Sequence, residues 1–343
     1  MTINFNIIDC NGEYNMQIHN IGVNELKSLS KSESYQKNTD EEHGHILNLP
    51  TENFEVKPSI DGTYATISFD DKLEKSVIPG FVKQNLNIKT KSGKILNISF
   101  HISSKIDNKT LQNSCSTLMT ALSNVPEKVL EDLAIECKHI VLTENIVFNK
   151  QASAMAVAPL NQMFISAEKL ANMDEDECKA TIVHELGHLI DHSKDSSIRG
   201  NATQWYNKEF SSLKNSLTEN LGFKLDSHMF DNCKEFFADY YTYKARLHID
   251  TPTRKAKTQF DLLEQYAYDI KKLNDDELEA KYKDKTEEIR NVVMAWETLK
   301  RSYDYYLKNI ENGSVKEEDR ADISREPMNY EQLIEHNNNL KKE

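Results

Sequence analysis

His184-Glu185-Leu186-Gly187-His188 is the stretch on which the reading of this chain turns. It is an H-E-x-x-H sequence inside a strongly helical segment. Two histidines four apart on a helix project from one face, within reach of one zinc ion, and the glutamate beside the first can serve as base toward water at that ion. At this chain's His and Glu frequencies such a match arises by chance in roughly a few per cent of sequences of this length. At about 100° per residue, Ile182, Val183, Leu186, Leu189 and Ile190 share an apolar face, His184 and His188 lie opposite, and Glu185 stands at the border. The helix is therefore expected to pack on the core and line a cleft at once. Gly187 leaves room for another chain segment or a substrate to come close. The helix should begin near Asn172 or Asp174, each followed three residues later by a glutamate, Glu175 or Glu177.

A catalytic zinc needs a third protein ligand and one open position. The extended motif that ends in a third histidine is excluded, because Asp191 and Lys194 stand where its glycine and histidine would be. His192 lies on the same helix, and three ligands in a row on one straight helix do not surround a tetrahedral ion. Glu235 is the better candidate. It lies in Cys233-Lys234-Glu235-Phe236-Phe237-Ala238-Asp239-Tyr240-Tyr241, 47 residues after His188, on what reads as a second helix. Asp239, one turn further, could accept a hydrogen bond from the free ring N–H of a ligand histidine and set its tautomer. Asn232 and Glu235 also have the spacing of a helix cap, which is the plainer reading of that glutamate.

Outward from the motif, the 343 residues are enough for two or three domains. Residues 1–108 read as a β-rich module. Strand alternation runs through Leu96, Ile98, Phe100 and Ile102, and through Leu86 and Ile88 before a Ser92-Gly93 turn; Tyr64 to Phe69 is another strand candidate. A polar stretch at about 27–57 reads as a linker. Residues 109–312 read as the metal-binding domain. Helices are expected at Ser114–Ser123 and from Pro126 to about Cys137, strands at His139–Leu142 and Gln162–Ser166, and charged helices after Thr251. Ile289, Val292, Trp296, Leu299, Tyr303, Tyr306 and Ile310 form one apolar stripe, read as an internal packing face, and Asn312-Gly313 should end its helix. Residues 313–343 read as a polar tail. The fold class expected is α+β, mostly helical with a small sheet.

Acidic residues outnumber basic ones, 55 to 42, for a net charge of −13. That argues against nucleic acid or an anionic membrane as the main partner. Five cysteines, Cys10, Cys115, Cys137, Cys178 and Cys233, are scattered without a C-x-x-C pair, so a disulfide framework is not expected. Cys178 and Cys233, which flank the motifs, read as buried structural thiols. The N-terminus carries no Sec-type signal pattern, and no stretch is apolar enough to span a bilayer. His43-Gly44-His45 reads as a solvated loop despite its metal-like look.

Val183 to Asp191, followed by Glu235-Phe236-Phe237-Ala238-Asp239, resembles the catalytic domain of anthrax lethal factor and the related bacterial Pro-Pro endopeptidases. Asn124 to Glu144, a Pro-led helix and then Ile140-Val141-Leu142-Thr143, resembles the start of that domain. The resemblance spans about residues 110–250 and implies a zincin-like metallopeptidase fold. It implies one zinc ion per chain on His184, His188 and Glu235, with Glu185 as general base and Asp239 as the supporting acid. The family has an oxyanion-stabilising tyrosine seven residues before the ligand glutamate; this chain has His228 there. A histidine can donate the same hydrogen bond, and Tyr206 or Tyr240 are alternatives. The expected function is zinc-dependent endopeptidase hydrolysis of a protein or peptide substrate, with Met163 to Ser166 as an edge strand for it. The family favours proline near the scissile bond and leans toward a secreted bacterial toxin or effector acting in a target cell. The alternatives are a catalytically degenerate binding domain and a housekeeping cytosolic metallopeptidase.

Overall fold

The computed structural model describes residues 64–70, 72–146, 152–191, 206–225, 227–251, 254–311, 326–329, 331–333 and 335. The linker at 27–57, His43, His45, Cys10 and His192 lie outside the described residues. Among the described residues the chain builds one mixed seven-stranded sheet with helices packed on it.

The strands are β1 (Ala65–Phe69), β2 (Glu74–Lys75), β3 (Phe81–Thr90), β4 (Ile95–Ser103), β5 (His139–Thr143), β6 (Ala154–Val157) and β7 (Gln162–Ser166). Their order is β1-β3-β4-β5-β7-β6, with β2 also paired to β3. β3 and β4 form the hairpin that Ser92-Gly93 announces, with Gly93 at φ +90° in the turn. The alternation read in the sequence is the burial pattern: Leu86, Ile88, Ile98, Phe100 and Ile102 are buried against the helices. β4 then pairs parallel with β5, and β5 parallel with β7. The sheet is thus larger than expected, and it crosses the boundary placed at residue 108. Strands from both sides of that boundary share one sheet and one core.

The edge assignment needs correcting. β7, which contains Met163 to Ser166, lies inside the sheet between β5 and β6; the edge strand is β6, antiparallel to β7. The physical reason is side-chain size. Ala154 and Ala156 turn their small side chains into the core under the motif helix, while Met155 and Val157 pack on the far face of the sheet. Bulkier residues at the two alanines would hold that helix away. The tail is also more than a polar extension: Leu333 is fully buried on the far face, and the Gln162 side chain brackets the backbone of Met328, donating to its oxygen at 2.8 Å and accepting from its nitrogen at 3.0 Å.

The helices are α1 (Asn108–Ser123), α2 (Glu127–Glu136), α3 (Ala167–Leu170), α4 (Glu175–Asp191), α5 (Asn207–Asn215), α6 (Cys233–Lys244), α7 (Ala256–Lys272), α8 (Asp275–Tyr282) and α9 (Thr286–Glu311). α4 begins at the second of the two expected caps: Asp174 accepts from the Glu177 N–H at 2.8 Å. α6 is buried from Cys233 through Thr242, a core helix with no solvent face over that span. The α9 stripe covers it. Phe237 lies edge-on to Tyr303 at 5.0 Å, and Tyr240 meets Tyr303 at 5.3 Å and Trp296 at 5.9 Å. Each such pair contributes about 0.5–1.5 kcal/mol beyond area burial. Gly187 allows α4 and α6 to cross in contact: a Cβ there would meet the Ala238 Cα at 2.7 Å. No described helix is long and apolar enough to cross a membrane.

Candidate metal centre

The α4–α6 crossing brings the two motifs together. His184 Nε2 lies 3.1 Å from Glu235 Oε2 and 3.2 Å from His188 Nε2, and His188 Nε2 lies 3.4 Å from Glu235 Oε2. The three residues are buried, and among the described residues they form a cluster that could hold a metal ion. The helical repeat explains the local geometry. His184 and His188 stack one turn apart on α4, and Glu235 faces them from the first turn of α6. Asn232 caps that turn through the Lys234 and Glu235 N–H groups. The cap is therefore made by Asn232, and the Glu235 side chain is turned to the histidines.

Asp239 stands one turn beyond Glu235, and its Oδ1 accepts from His184 Nδ1 at 2.9 Å. With a proton on Nδ1, the His184 Nε2 lone pair points into the cluster, the tautomer a metal requires. The electrostatics favour positive charge at this point. Burial alone would raise the Glu235 pKa, yet the three neighbouring histidines hold its carboxyl well below the usual range. Burial likewise opposes charge on His188, but Glu235, Glu185 and Asp191 carry its pKa up to about 9.

His228 opens a short 3-10 turn, His228–Phe230, anchored by the buried Met229 and Phe230 side chains. Its Nε2 lies 3.1 Å from Glu235 Oε2 and its Nδ1 2.5 Å from Asp231 Oδ2. Burial works against charge on this ring, but its hydrogen bond to Glu235 and that carboxylate's charge raise its pKa above the ordinary imidazole value. A ring between two carboxylates favours the form with protons on both nitrogens.

Glu185, at the rim, is half-buried, and its Oε2 accepts from the Ala156 N–H of β6 at 2.8 Å. Since Met155 and Val157 pair toward β7, the polar groups of Ala154 and Ala156 face away from it, on the side of β6 where no strand pairs among the described residues. The two tyrosine alternatives lie elsewhere. The Tyr240 hydroxyl donates to Asp304 at 2.6 Å, and Tyr206 packs against Tyr303. Cys178 and Cys233 are buried, and burial pushes the Cys178 thiol up to about 12, which leaves it inert.

One residue at the centre has no signal in the sequence. Arg254 follows α6 in the chain, and its oxygen accepts from the Thr251 N–H at 2.7 Å. Its Nη2 lies 3.1 Å from His184 Nε2, and its Nε 3.3 Å from Asp239 Oδ1. No motif spacing marks it; only the folded chain brings it 70 residues back to His184.

Comparison of the chain with protein-family models, with curated proteins and with solved structures gives no match to any of them.

Proposed function

We propose that this chain is a zinc-dependent endopeptidase that hydrolyses peptide bonds of a protein substrate, of the kind its paired motifs resemble. The observation that carries this reading is the spacing of three acceptor atoms. Ligand atoms around a tetrahedral ion with bonds of about 2.0–2.1 Å stand about 3.3–3.4 Å apart, and His184 Nε2, His188 Nε2 and Glu235 Oε2 are 3.1–3.4 Å apart. Two imidazoles and one carboxylate leave the fourth position open, the donor set of a catalytic zinc site.

Bound there, zinc supplies a Lewis acid and lowers the pKa of water. Glu185 takes the proton from the attacking water and passes it to the leaving amine. His228, held through Nδ1 by Asp231, donates through Nε2 to the oxygen that becomes negative. An extended substrate pairs along β6, next to Glu185, with main-chain hydrogen bonds as the grip. Delivery into a target cell as a toxin or effector belongs to the same reading and rests on the resemblance alone.

The test is a peptide-library cleavage assay on wild type and Glu185→Ala, with zinc content measured on both. Wild type should cleave, the variant should not, and both should hold one zinc. Cleavage by the variant at the wild-type rate refutes the mechanism. Full zinc loading with no peptide cleaved by either protein identifies a binding domain instead.

A further inference from the structure

We propose that Arg254 is the anion-holding residue of this centre, binding the negatively charged oxygen of whatever occupies the open metal position; this rests on the zinc hydrolase reading above. Its guanidinium is aimed at the ligand set. Nη2 is at hydrogen-bond distance from the His184 nitrogen whose lone pair faces the cluster, and Nε is 3.3 Å from Asp239 Oδ1. A nitrogen lone pair committed to a metal cannot also accept from Arg254. The guanidinium N–H groups beside it are then left for an oxygen at the neighbouring open position. Arg254 cannot itself ligate a metal, since a guanidinium has donors and no acceptor. A fixed cation next to a dication is tolerable only with an anion between or beside them. Asp239 and Glu235 set two negative charges against the three positive charges of zinc and Arg254, and a bound oxyanion adds a further one at the open position.

Hydrogen bonds fix the backbone on either side of Arg254. The Thr251 hydroxyl accepts from the Arg254 N–H at 3.1 Å, Asp250 bridges to Lys255, and the Lys255 N–H donates to the buried Ser227 hydroxyl at 2.9 Å. Ser227 directly precedes His228. One hydrogen bond thus ties the Arg254 segment to the His228 turn, so that donors from two separate segments converge on the ligand set, Arg254 at His184 Nε2 and His228 at Glu235 Oε2. Donors fixed before charge develops are what oxyanion stabilisation requires. An arginine can also offer two parallel N–H groups to a carboxylate or phosphate, which His228 cannot.

The probe is inorganic phosphate, titrated calorimetrically into the zinc-loaded full chain. Wild type should bind it, and Arg254→Gln should bind it about tenfold or more weakly, with Arg254→Lys between them. Zinc affinity, measured by chelator competition, should be unchanged or higher in Arg254→Gln, because a cation beside the ion is removed. If Arg254→Gln binds phosphate within about twofold of wild type, the proposal is overturned. A fall in zinc affinity with phosphate binding intact is also against it, since that is what loss of Asp239 positioning alone would produce. The two readings fail separately. Arg254-dependent phosphate binding on a protein that cleaves no peptide keeps this proposal and ends the peptidase reading. Cleavage with an unchanged kcat in Arg254→Gln does the reverse.

Discussion

Gly187→Ala should damage the metal centre without touching a ligand. The added Cβ would stand 2.7 Å from the Ala238 Cα, 3.2 Å from its Cβ and 3.2 Å from its oxygen. Carbon atoms rest at about 3.5–4.0 Å, so α4 and α6 must part by about 1 Å at this point. Gly187 lies between His184 and His188, and Ala238 lies one turn from Glu235. If the helices part, Glu235 Oε2 moves from 3.1 and 3.4 Å to about 4 Å from the two imidazole nitrogens. That exceeds the 3.3–3.4 Å or so that a tetrahedral zinc spans. If the aromatic wall of α9 prevents the move, the strain stays in the fold and costs about 1–3 kcal/mol. The gain from alanine in a helix interior, about 1 kcal/mol, offsets only part of it. The assay pairs thermal melts, with and without zinc, with chelator competition. Zinc should bind at least about tenfold more weakly, and the zinc-dependent rise in melting temperature should shrink. Adding Ala238→Gly should not restore binding, because the nearest obstacle is the Ala238 Cα and not its Cβ. A Gly187→Ala protein that melts and binds zinc like wild type would show that the crossing does not set the ligand spacing.

Asp239→Asn should lower zinc affinity by about 10–100-fold with the fold intact, because His184 loses the carboxylate that holds its tautomer; equilibrium dialysis against zinc would measure it. Away from the centre, His101 is buried with Nδ1 2.7 Å from the Ser76 hydroxyl and Nε2 3.2 Å from His139 Nδ1, and burial lowers its pKa to about 3 and that of His139 to about 4. These rings stay neutral in the fold but protonate near 6.5 in the unfolded chain, so their contribution is complete above that pH and is lost as pH falls toward 4 and 3. From pH 7 to pH 5 His101 alone should account for about 2 kcal/mol of lost stability. Urea unfolding at the two pH values should show a smaller difference in His101→Asn, and an equal difference would refute the assignment.

The parts of the centre legible in the sequence are those whose geometry is local. Histidines at i and i+4, and a glutamate with an aspartate at i+4, are fixed by the helical repeat before any tertiary contact exists. The cap at Asp174 and the apolar stripe of α9 were legible for the same reason. The edge strand was not. Ala154-Met155-Ala156-Val157 has little strand propensity, and its place at the edge follows from the small side chains that α4 needs beneath it. The neighbouring Met163-Phe164-Ile165 run reads as a strand, and its apolarity is the mark of one covered on both faces. The continuity of the sheet across residue 108 depends on a parallel pairing between strands far apart in sequence, which no local pattern records.

Arg254 shows the same limit from the functional side, and it bears on why α6 is built as it is. A helix that buries Lys234, Glu235 and Asp239 among phenylalanines and tyrosines is a poor choice for stability alone. Removing charges from water costs several kcal/mol each, and packed apolar residues of similar size would do as well or better. Departures from the local rule that charges stay outside concentrate at functional sites. Here the two acids are compensated: Glu235 by His184, His188 and His228, and Asp239 by His184 and Arg254. The two acids share His184, but only Asp239 has the arginine as well. Loss of Arg254 removes a partner from Asp239 while leaving every partner of Glu235 in place. The three-ligand cluster can thus survive a change that abolishes anion binding beside it, which is why metal affinity and phosphate affinity separate the two roles.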